Sequence, residues 1–592
     1  METPTYAVDF ETYYDKECSI KHLGPLGYFS HPDFDAYMVS VVGDNGYSFV
    51  GHPKDFDWSI LAGADVIAHN ASFDETLYLY GVTQNWWPEV SPLNWYCTAD
   101  MAAACGLPRS LKNATAQAFD LEISKTTRDN MAGKRWETMN PDFRKEVEEY
   151  ALKDSELCLR LWKEYAPQWS QFERDISRMN RTIVQRGLPI DTEMLAANLN
   201  TLKEKLFECE QNIPWGGDKP LLSRKAFDDE CLKMGIEPPA SLSQTDVDAQ
   251  EWIRRYGHKY KWIEAVTNWR RINALAKKLE SFDAATMPDG RYYGGIMYFG
   301  GHTGRFSGSG GNLNLQNLPR DEMFGANLRH MIAAPEGRKL VVADLSNIEV
   351  RTLCWLADDK ETLREIAITD DIYEAFAIRF GLWSKDSDQP LKSDPKLRHK
   401  VKALVLGCGY GAGPQKFSQI FDMPLDEAEE SVKIYRTRLK KIPQYWYDLN
   451  DDVQIAYDVE CPFQIKLPSG RILDYGRTKI SKQLVNGKPR LQHTAIMNRN
   501  GKRLPMKLWG GILAENASQA MARDIMCYMM LEIEKAGIPI ILHVHDEVVV
   551  ECDEADAEDV LKTMNQIMSQ APEWCPDIPL ASEGYISQHY TK

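Results

Sequence analysis

The stretch RKLVVADLSNIEVRTLCWLADD spans residues 338–359. Its first half is a continuous apolar run rich in valine, which predicts a buried strand. Its second half carries helical periodicity, so the strand runs directly into a helix. Asp344 stands where the strand ends. A carboxylate in that place is costly unless it is paired or holds a metal ion. As a lone residue it reads equally as a turn aspartate or a helix N-cap. Glu349 falls in the first turn of the predicted helix, where the helix dipole favours an acid.

Two further stretches raise related questions. IPIILHVHDEVVVEC (538–552) predicts two apolar strands with His545 and Asp546 at the turn between them. Asp344 and Asp546 are 202 positions apart, so spacing alone does not join them. Between them lies RHKVKALVLGCGYG (398–411), in which Arg398, Lys402, Leu406 and Tyr410 recur at intervals of four. That interval predicts one drifting face of a helix ending in glycines. Taken by itself, it is an amphipathic surface helix with a glycine stop.

Residues 1–165 read as alternating strands and helices. YAVDFET and YMVSVVG are strand-like, and EVEEYALKDSELCLRLWKEY has strong helical periodicity. On a strand, Asp9 and Glu11 project to the same face. Asp74 follows in HNASFDETLYLYG, and Tyr150 and Asp154 are four apart on one helix. Four carboxylates converging on one spot repel one another unless cations lie between them, and hard oxygen ligands suit Mg²⁺ or Mn²⁺. Two such ions can activate a water and stabilise the leaving oxygen of a phosphodiester. Each fragment alone reads as an ordinary strand acid, core tyrosine or surface acid.

The chain has 592 residues, which predicts three or four structural units at about 100–200 residues each. With 43% hydrophobic and 26% charged residues it is a globular composition. No apolar run of about 18 residues or secretory signal is visible, so no membrane association is expected. Twelve cysteines without a C-x-x-C pair predict free thiols, a reducing compartment and no structural zinc. The net charge of −17 argues on its face against a nucleic-acid partner, but binding depends on local patches. Basic clusters occur in KLRHKVK (396–402), KIYRTRLKK (433–441) and NWRRINALAKKLE (268–280). A mostly helical stretch after residue 165 is broken at RGLPID (186–191) and IPWGGDKP (213–220), and residues 294–319 predict loop or irregular strand.

In order, DLSNIEVR, RHKVKALVLGCGYG and HVHDEV resemble motifs A, B and C of the DNA polymerase I family, family A. HTGRFSGSGGNLNLQNLPR resembles the segment before motif A, and LAENASQAMARD that between B and C in small phage polymerases. NWRRINALAKKLESF resembles the thumb helix, and PLASEGYISQHYTK a phage-type C-terminus. The N-terminal carboxylates, with GLPRSLKNATAQAFDL between the second and third motifs, resemble the RNase H-like 3′–5′ proofreading exonucleases. The implied fold is α/β and multidomain, an exonuclease followed by a right-hand polymerase. The implied units are an exonuclease domain at 1–165, thumb and connecting helices at 166–292, and palm with motif A at 293–352. Fingers with motif B would occupy 353–505, and palm with motif C and the C-terminus 506–592.

The resemblance implies a role for each matching residue. Asp344, Asp546 and the Leu345 carbonyl would hold two Mg²⁺ ions, with Glu547 acting beside them. Asp9, Glu11, Asp74 and Asp154 would hold two more, with Tyr150 orienting a water; Mn²⁺ is a substitute. Arg398 and Lys402 would face the triphosphate, Leu406 would lie under the sugar, and Tyr410 would stack near the templating base. Glu349 matches the steric gate that excludes a ribose 2′-hydroxyl. Arg305, Asn317, Gln519 and His545 would contact the primer terminus and nascent pair, and Arg351 a primer phosphate or a structural salt bridge. Arg270, Arg271, Lys277 and Lys278 would supply a salt-dependent grip on duplex. The implied partners are primer-template DNA, dNTPs, a single-stranded 3′ end and replication accessory proteins. A monomer in the cytoplasm, the host's if phage-encoded, is expected.

Leu345 stands where many relatives have Tyr, Glu515 where the bacterial members align Asn, and Leu406 where the family places Phe or Tyr. Val405 replaces the usual Asn. None of these removes a metal ligand or a phosphate cation, though they bear on nucleotide selection. The chain starts at the exonuclease without a 5′-nuclease domain, as expected of a small phage enzyme in genome replication. Some such phages use diaminopurine in place of adenine; no residue here demonstrates that preference. Two alternatives are an exonuclease whose polymerase half is only a DNA clamp, and a single-subunit RNA polymerase. Intact Asp344, Asp546, Arg398 and Lys402 oppose the first, and Glu349 and the exonuclease motifs oppose the second.

Overall fold

The computed structural model describes residues 3–591, apart from 92–93, 122–125, 218, 244–245, 309–313, 486–487 and 500–501. Part of the GSGGN-containing segment before Asp344, residues 309–313, therefore lies outside the described residues. The architecture is the expected multidomain α/β one.

The N-terminal sheet has five strands in the order Ser48–Gly51, Ala36–Gly43, Thr5–Thr12, Asp65–Ala68, Asn94–Cys97. Thr5–Thr12 runs antiparallel to Ala36–Gly43 and parallel to Asp65–Ala68. Alternation along this strand sends Tyr6, Val8 and Phe10 into an aromatic core with Trp58 and Trp87. Ala7, Asp9 and Glu11 therefore share the other face. The Pro141–Tyr165 helix packs across that side, where Ser40 donates to the Ala151 carbonyl at 2.8 Å. Its start is fixed locally: Asn140 caps the Phe143 N–H at 2.8 Å, and Pro141 occupies the first turn.

The Gln171–Arg186 helix opens on an N-cap, with Ser170 accepting from Glu173 N at 3.3 Å. Glu173, Asn180 and Arg181 are buried on it. Glu173 is ion-paired with Arg523 far along the chain, and Asn180 meets the His543 ring at 3.2 Å. This polar seam ties the N-terminal unit to the C-terminal one. The helix ends at the predicted break, and Leu188–Pro189 pairs instead with Arg291–Tyr292. Helices Thr192–Glu210 and Lys261–Ala284 pack together beyond it.

A four-stranded antiparallel sheet carries Arg338–Leu345, in the order Ile540–Val544, Glu547–Asp553, Arg338–Leu345, Ser582–Ser587. Val341, Ala343 and Leu345 face a core with Met521, Ile525 and Val548. Leu340 and Val342 face another with Ile332, Val549 and Tyr590. Both faces of the sheet are covered, which explains the unbroken apolar run in the sequence. The chain then turns through Asn347 at φ 51° into the Ile348–Leu356 helix.

The helices between 360 and 458 share a core with the Pro395–Cys408 helix. Among the described residues no helix is long and apolar enough to cross a membrane.

Candidate active sites

Antiparallel pairing joins what sequence distance separates. Asp344 pairs in register with Glu547, and the Leu345 N–H donates to the Asp546 carbonyl at 2.9 Å. Asp546 sits in the two-residue turn between its strands, preceded by His545 in the left-handed region at φ 55°. Gln316, only 4% exposed, clamps that turn. Its Nε2 donates to the His543 carbonyl at 2.6 Å, and its Oε1 accepts from His545 N at 3.4 Å. Burial, and then the charge of Asp344, push the Asp546 carboxyl up to about 6. The Leu345 side chain is buried, so only its backbone is available to the site. Glu547 is buried rather than a surface acid, and accepts from the Tyr590 hydroxyl at 2.5 Å.

A cavity of about 180 Å³ beside this turn is lined by Arg305, Gln316, Glu349, Arg523, His545 and Asp546. Arg305 is ion-paired with Glu349. Asn317 and Gln519 are not among the lining residues: Asn317 is exposed on its short turn, and Gln519 donates to Glu515 at 3.2 Å. One expectation is corrected. Arg351 does not present its charge to a phosphate: it is buried, and donates to the carbonyls of Ser346 and Pro579, each at 2.7 Å. Its partners are backbone oxygens, and burial brings its pKa down to about 10. In the Lys261–Ala284 helix, Arg270, Arg271, Lys277 and Lys278 are all exposed, and Arg271 lies over the Phe324 ring.

The Pro395–Cys408 helix begins on Asp394, which accepts from Leu397 N at 3.0 Å. Arg398 donates to Asp371 at 2.6 Å and stacks 5.0 Å over the Tyr373 ring. Lys402 lies 6.0 Å from the same ring, and Leu406 is 49% exposed. The periodicity predicts Tyr410 on this helix, but it lies two residues past the helix end. The reason is local: Gly411 has φ +80°, and the Trp446 indole donates to the Gly409 carbonyl at 3.1 Å. A Cβ on Gly407 would come within 2.6 Å of Phe421, so only glycine lets the helix pack there. Tyr410 is mostly buried beside Ser518, and burial followed by the charge of Glu349 raises its pKa.

At the other site, Asp74 lies in the first turn of the Ala71–Thr83 helix and accepts from Phe10 N at 3.1 Å. Asp9, Glu11, Asp74, Tyr150 and Asp154 all line one cleft of about 730 Å³. Burial and then the neighbouring carboxylates Glu11, Asp74 and Asp154 raise Asp9 well above the usual range. Burial and Asp154 push Glu11 up to about 8, opposed by Arg128; burial alone pushes Asp74 to about 7. Among the described residues no three His, Cys, Asp or Glu side chains already stand at metal-binding spacing. The donor chemistry nonetheless fits a hard divalent cation, since partly buried carboxylates that raise one another's pKa are relieved by positive charge.

Three residues of these sites, Asp371, Gln316 and Arg128, have little or no signal in the sequence. Asp371 has one, an aspartate just before the helical IYEAFAIRF; it caps Tyr373 N at 3.1 Å and also pairs Arg398. Gln316 and Arg128 have none, because their partners are remote in sequence.

Residues 192–592 match the family DNA polymerase family A. The chain is 26% identical to the DNA polymerase of Bacillus phage SP02, over 99% of this chain and 100% of that one. It is 24% identical to the thermostable DNA polymerase I of Thermus filiformis, over 75% of this chain and 51% of that protein. It thus spans about half the length of that bacterial relative. In fold it is similar to the POL domain of Pol1 from M. smegmatis in complex with DNA primer-template and dNTP. That likeness has a TM-score of 0.67 at 19% identity, over 100% of this chain and 96% of that one. The chain belongs to DNA polymerase family A.

Proposed function

We propose that this protein extends a DNA primer with deoxynucleotides on a template strand and removes mispaired 3′ ends in its N-terminal cleft. The observation that carries the polymerase reading is the adjacency of Asp344 and Asp546, enforced by the Leu345–Asp546 backbone hydrogen bond. Those two acids and the Leu345 carbonyl would hold two Mg²⁺ ions. When bound, the ions supply a lowered pKa for the primer 3′-hydroxyl and charge neutralisation at the triphosphate. Arg398 exchanges Asp371 for the triphosphate and, with Lys402, offsets the charge that builds on the leaving pyrophosphate. Glu349 fills the space beneath C2′ of the incoming sugar, and Arg305 and His545 meet the primer terminus. Minor-groove contacts there test pair geometry rather than sequence.

In the N-terminal cleft Asp9, Glu11, Asp74 and Asp154 would hold the divalent ions that activate a water, and Tyr150 orients it. The likeness to the phage SP02 enzyme supports a role in phage genome replication, in the host cytoplasm. Diaminopurine use has no residue to carry it and forms no part of the proposal. The deciding assay is primer extension and primer digestion, run beside Asp344→Ala and Asp9→Ala. The first variant loses synthesis and keeps digestion; the second does the reverse. Extension by Asp344→Ala would overturn the site assignment.

A further inference from the structure

Just before the Gly510–Lys535 helix the chain forms a three-stranded antiparallel sheet from Lys479–Val485, Lys488–Arg499 and Lys502–Leu508. Residues 479–508 contain eight Lys or Arg and no Asp or Glu, in a chain of net charge −17. This sheet is attached by one side. Ala495 and Leu508 are buried, and Met497 and Met506 pack on the helical core. The His493 ring meets Gln454 at 3.0 Å and Tyr457 at 5.8 Å between centroids. Thr494 sits between Lys479 and Lys507 in the register, on the opposite pleat from His493 and Ala495. Both lysines therefore belong to the face turned away from the core. Lys479 and Lys507 are exposed, as is Ile496 on the same face; Lys482 is also exposed but pairs with Leu491, on the pleat of His493 and Ala495.

The last strand runs through Trp509 straight into the Gly510–Lys535 helix. Trp509 is 41% exposed. Its ring lies where a Cβ on Gly411 or Gly511 would collide, and a Cβ on Gly511 would also strike the Tyr410 carbonyl. An exposed indole thus joins the cationic sheet to the turn that ends the Arg398–Lys402 helix.

We infer that this sheet and Trp509 bind the single-stranded template ahead of the polymerase site. Exposed cations on an extended face offer salt-sensitive phosphate contacts, and an exposed aromatic ring offers a stacking surface for any base. The inference rests on the polymerase reading and deepens it by naming where the uncopied strand lies.

The test is binding of the whole protein, without Mg²⁺, to primer-templates with 5′ template overhangs of two lengths, one too short to reach Lys479. The variants are Lys479→Gln/Lys507→Gln and Trp509→Phe, each first checked for an unchanged unfolding transition. The unmodified protein binds the long overhang more tightly. In the double variant the ratio of the two affinities falls toward one. Its salt dependence on the long overhang weakens by about 1.4 in slope, since each single-strand phosphate that a lysine neutralises accounts for ~0.7. Trp509→Phe retains most of the ratio, because phenylalanine still stacks. An unchanged ratio and slope, equal weakening at both lengths, or a preference only for a duplexed overhang would each overturn the inference. Extension of the short-overhang primer by the unmodified protein tests the polymerase reading separately.

Discussion

Arg305 is ion-paired with Glu349 across the cavity that also contains His545 and Asp546. The residue expected at the primer terminus is therefore held by the residue expected beneath the sugar. Glu349→Gln keeps the bulk and removes the charge, so it frees Arg305. Partly exposed pairs are worth about 0.2–1 kcal/mol, so primer-template affinity rises by up to about fivefold while ribonucleotides stay excluded. Glu349→Ala removes the bulk as well. Discrimination against ribonucleotides then falls about a hundredfold, near 2.7 kcal/mol in the transition state. Paired dNTP and rNTP incorporation rates check both variants.

Gln316 touches no expected substrate atom, yet it holds both backbone bonds of the turn that presents Asp546. Gln316→Ala leaves a buried carbonyl and N–H without their partner, a cost of about 1–3 kcal/mol. The expected loss is about 5- to 150-fold in kcat, with primer-template affinity little changed. A loss confined to DNA affinity would show that Gln316 acts on the primer instead.

The N-terminal carboxylates make stability depend on pH in a defined direction. An acid whose pKa is raised by folding favours the folded state only while protonated. Glu11 rises from 4.5 to about 8, so its contribution is harmless below pH 4.5 and increasingly destabilising as pH climbs to 8. One such proton corresponds to at most about 1.4 kcal/mol per pH unit. In chelator, the melting temperature falls between pH 5 and pH 8, and Mg²⁺ reduces the fall. Glu11→Gln flattens the chelator profile and raises the melting temperature at pH 8. Calorimetry at the two pH values distinguishes this from a profile unaffected by the substitution.

Leu406 is a half-exposed leucine on the helix that carries Arg398 and Lys402. Little packs against it, so Leu406→Tyr changes stability by no more than about 0.5 kcal/mol. A tyrosine hydroxyl there can stand in for a missing 3′-hydroxyl, so dideoxynucleotides are accepted more readily. Unchanged dideoxy discrimination would mean that residue 406 does not lie under the sugar.

Much of the fold is legible in the sequence because its signals are local. The Arg338–Leu345 strand, the hairpin around His545 and Asp546, and the glycine-ended helix from 395 each announce themselves within 8–15 residues. The same holds for Asp9 and Glu11, which share a face by pleat alone. Arg351 is not legible in this way, because an arginine on a helix after a strand looks the same whether it points to solvent or to two carbonyls. The basic sheet at 479–508 escapes a search for charge runs because its cations are spread over three strands rather than clustered in one segment.

What the sequence determined by itself was the set of chemical groups and the local element on which each is carried. Periodicity and capping act between residues a few positions apart, and a sequence records them directly. The tertiary structure alone decided which groups share a site. Strand pairing set Asp344 beside Asp546, and packing buried Gln316 against their turn. The fold also gave Arg398 to Asp371 and Arg305 to Glu349 as resting partners. These are contacts between remote segments, and whether a charge is paired, buried or free depends on the element that packs against it.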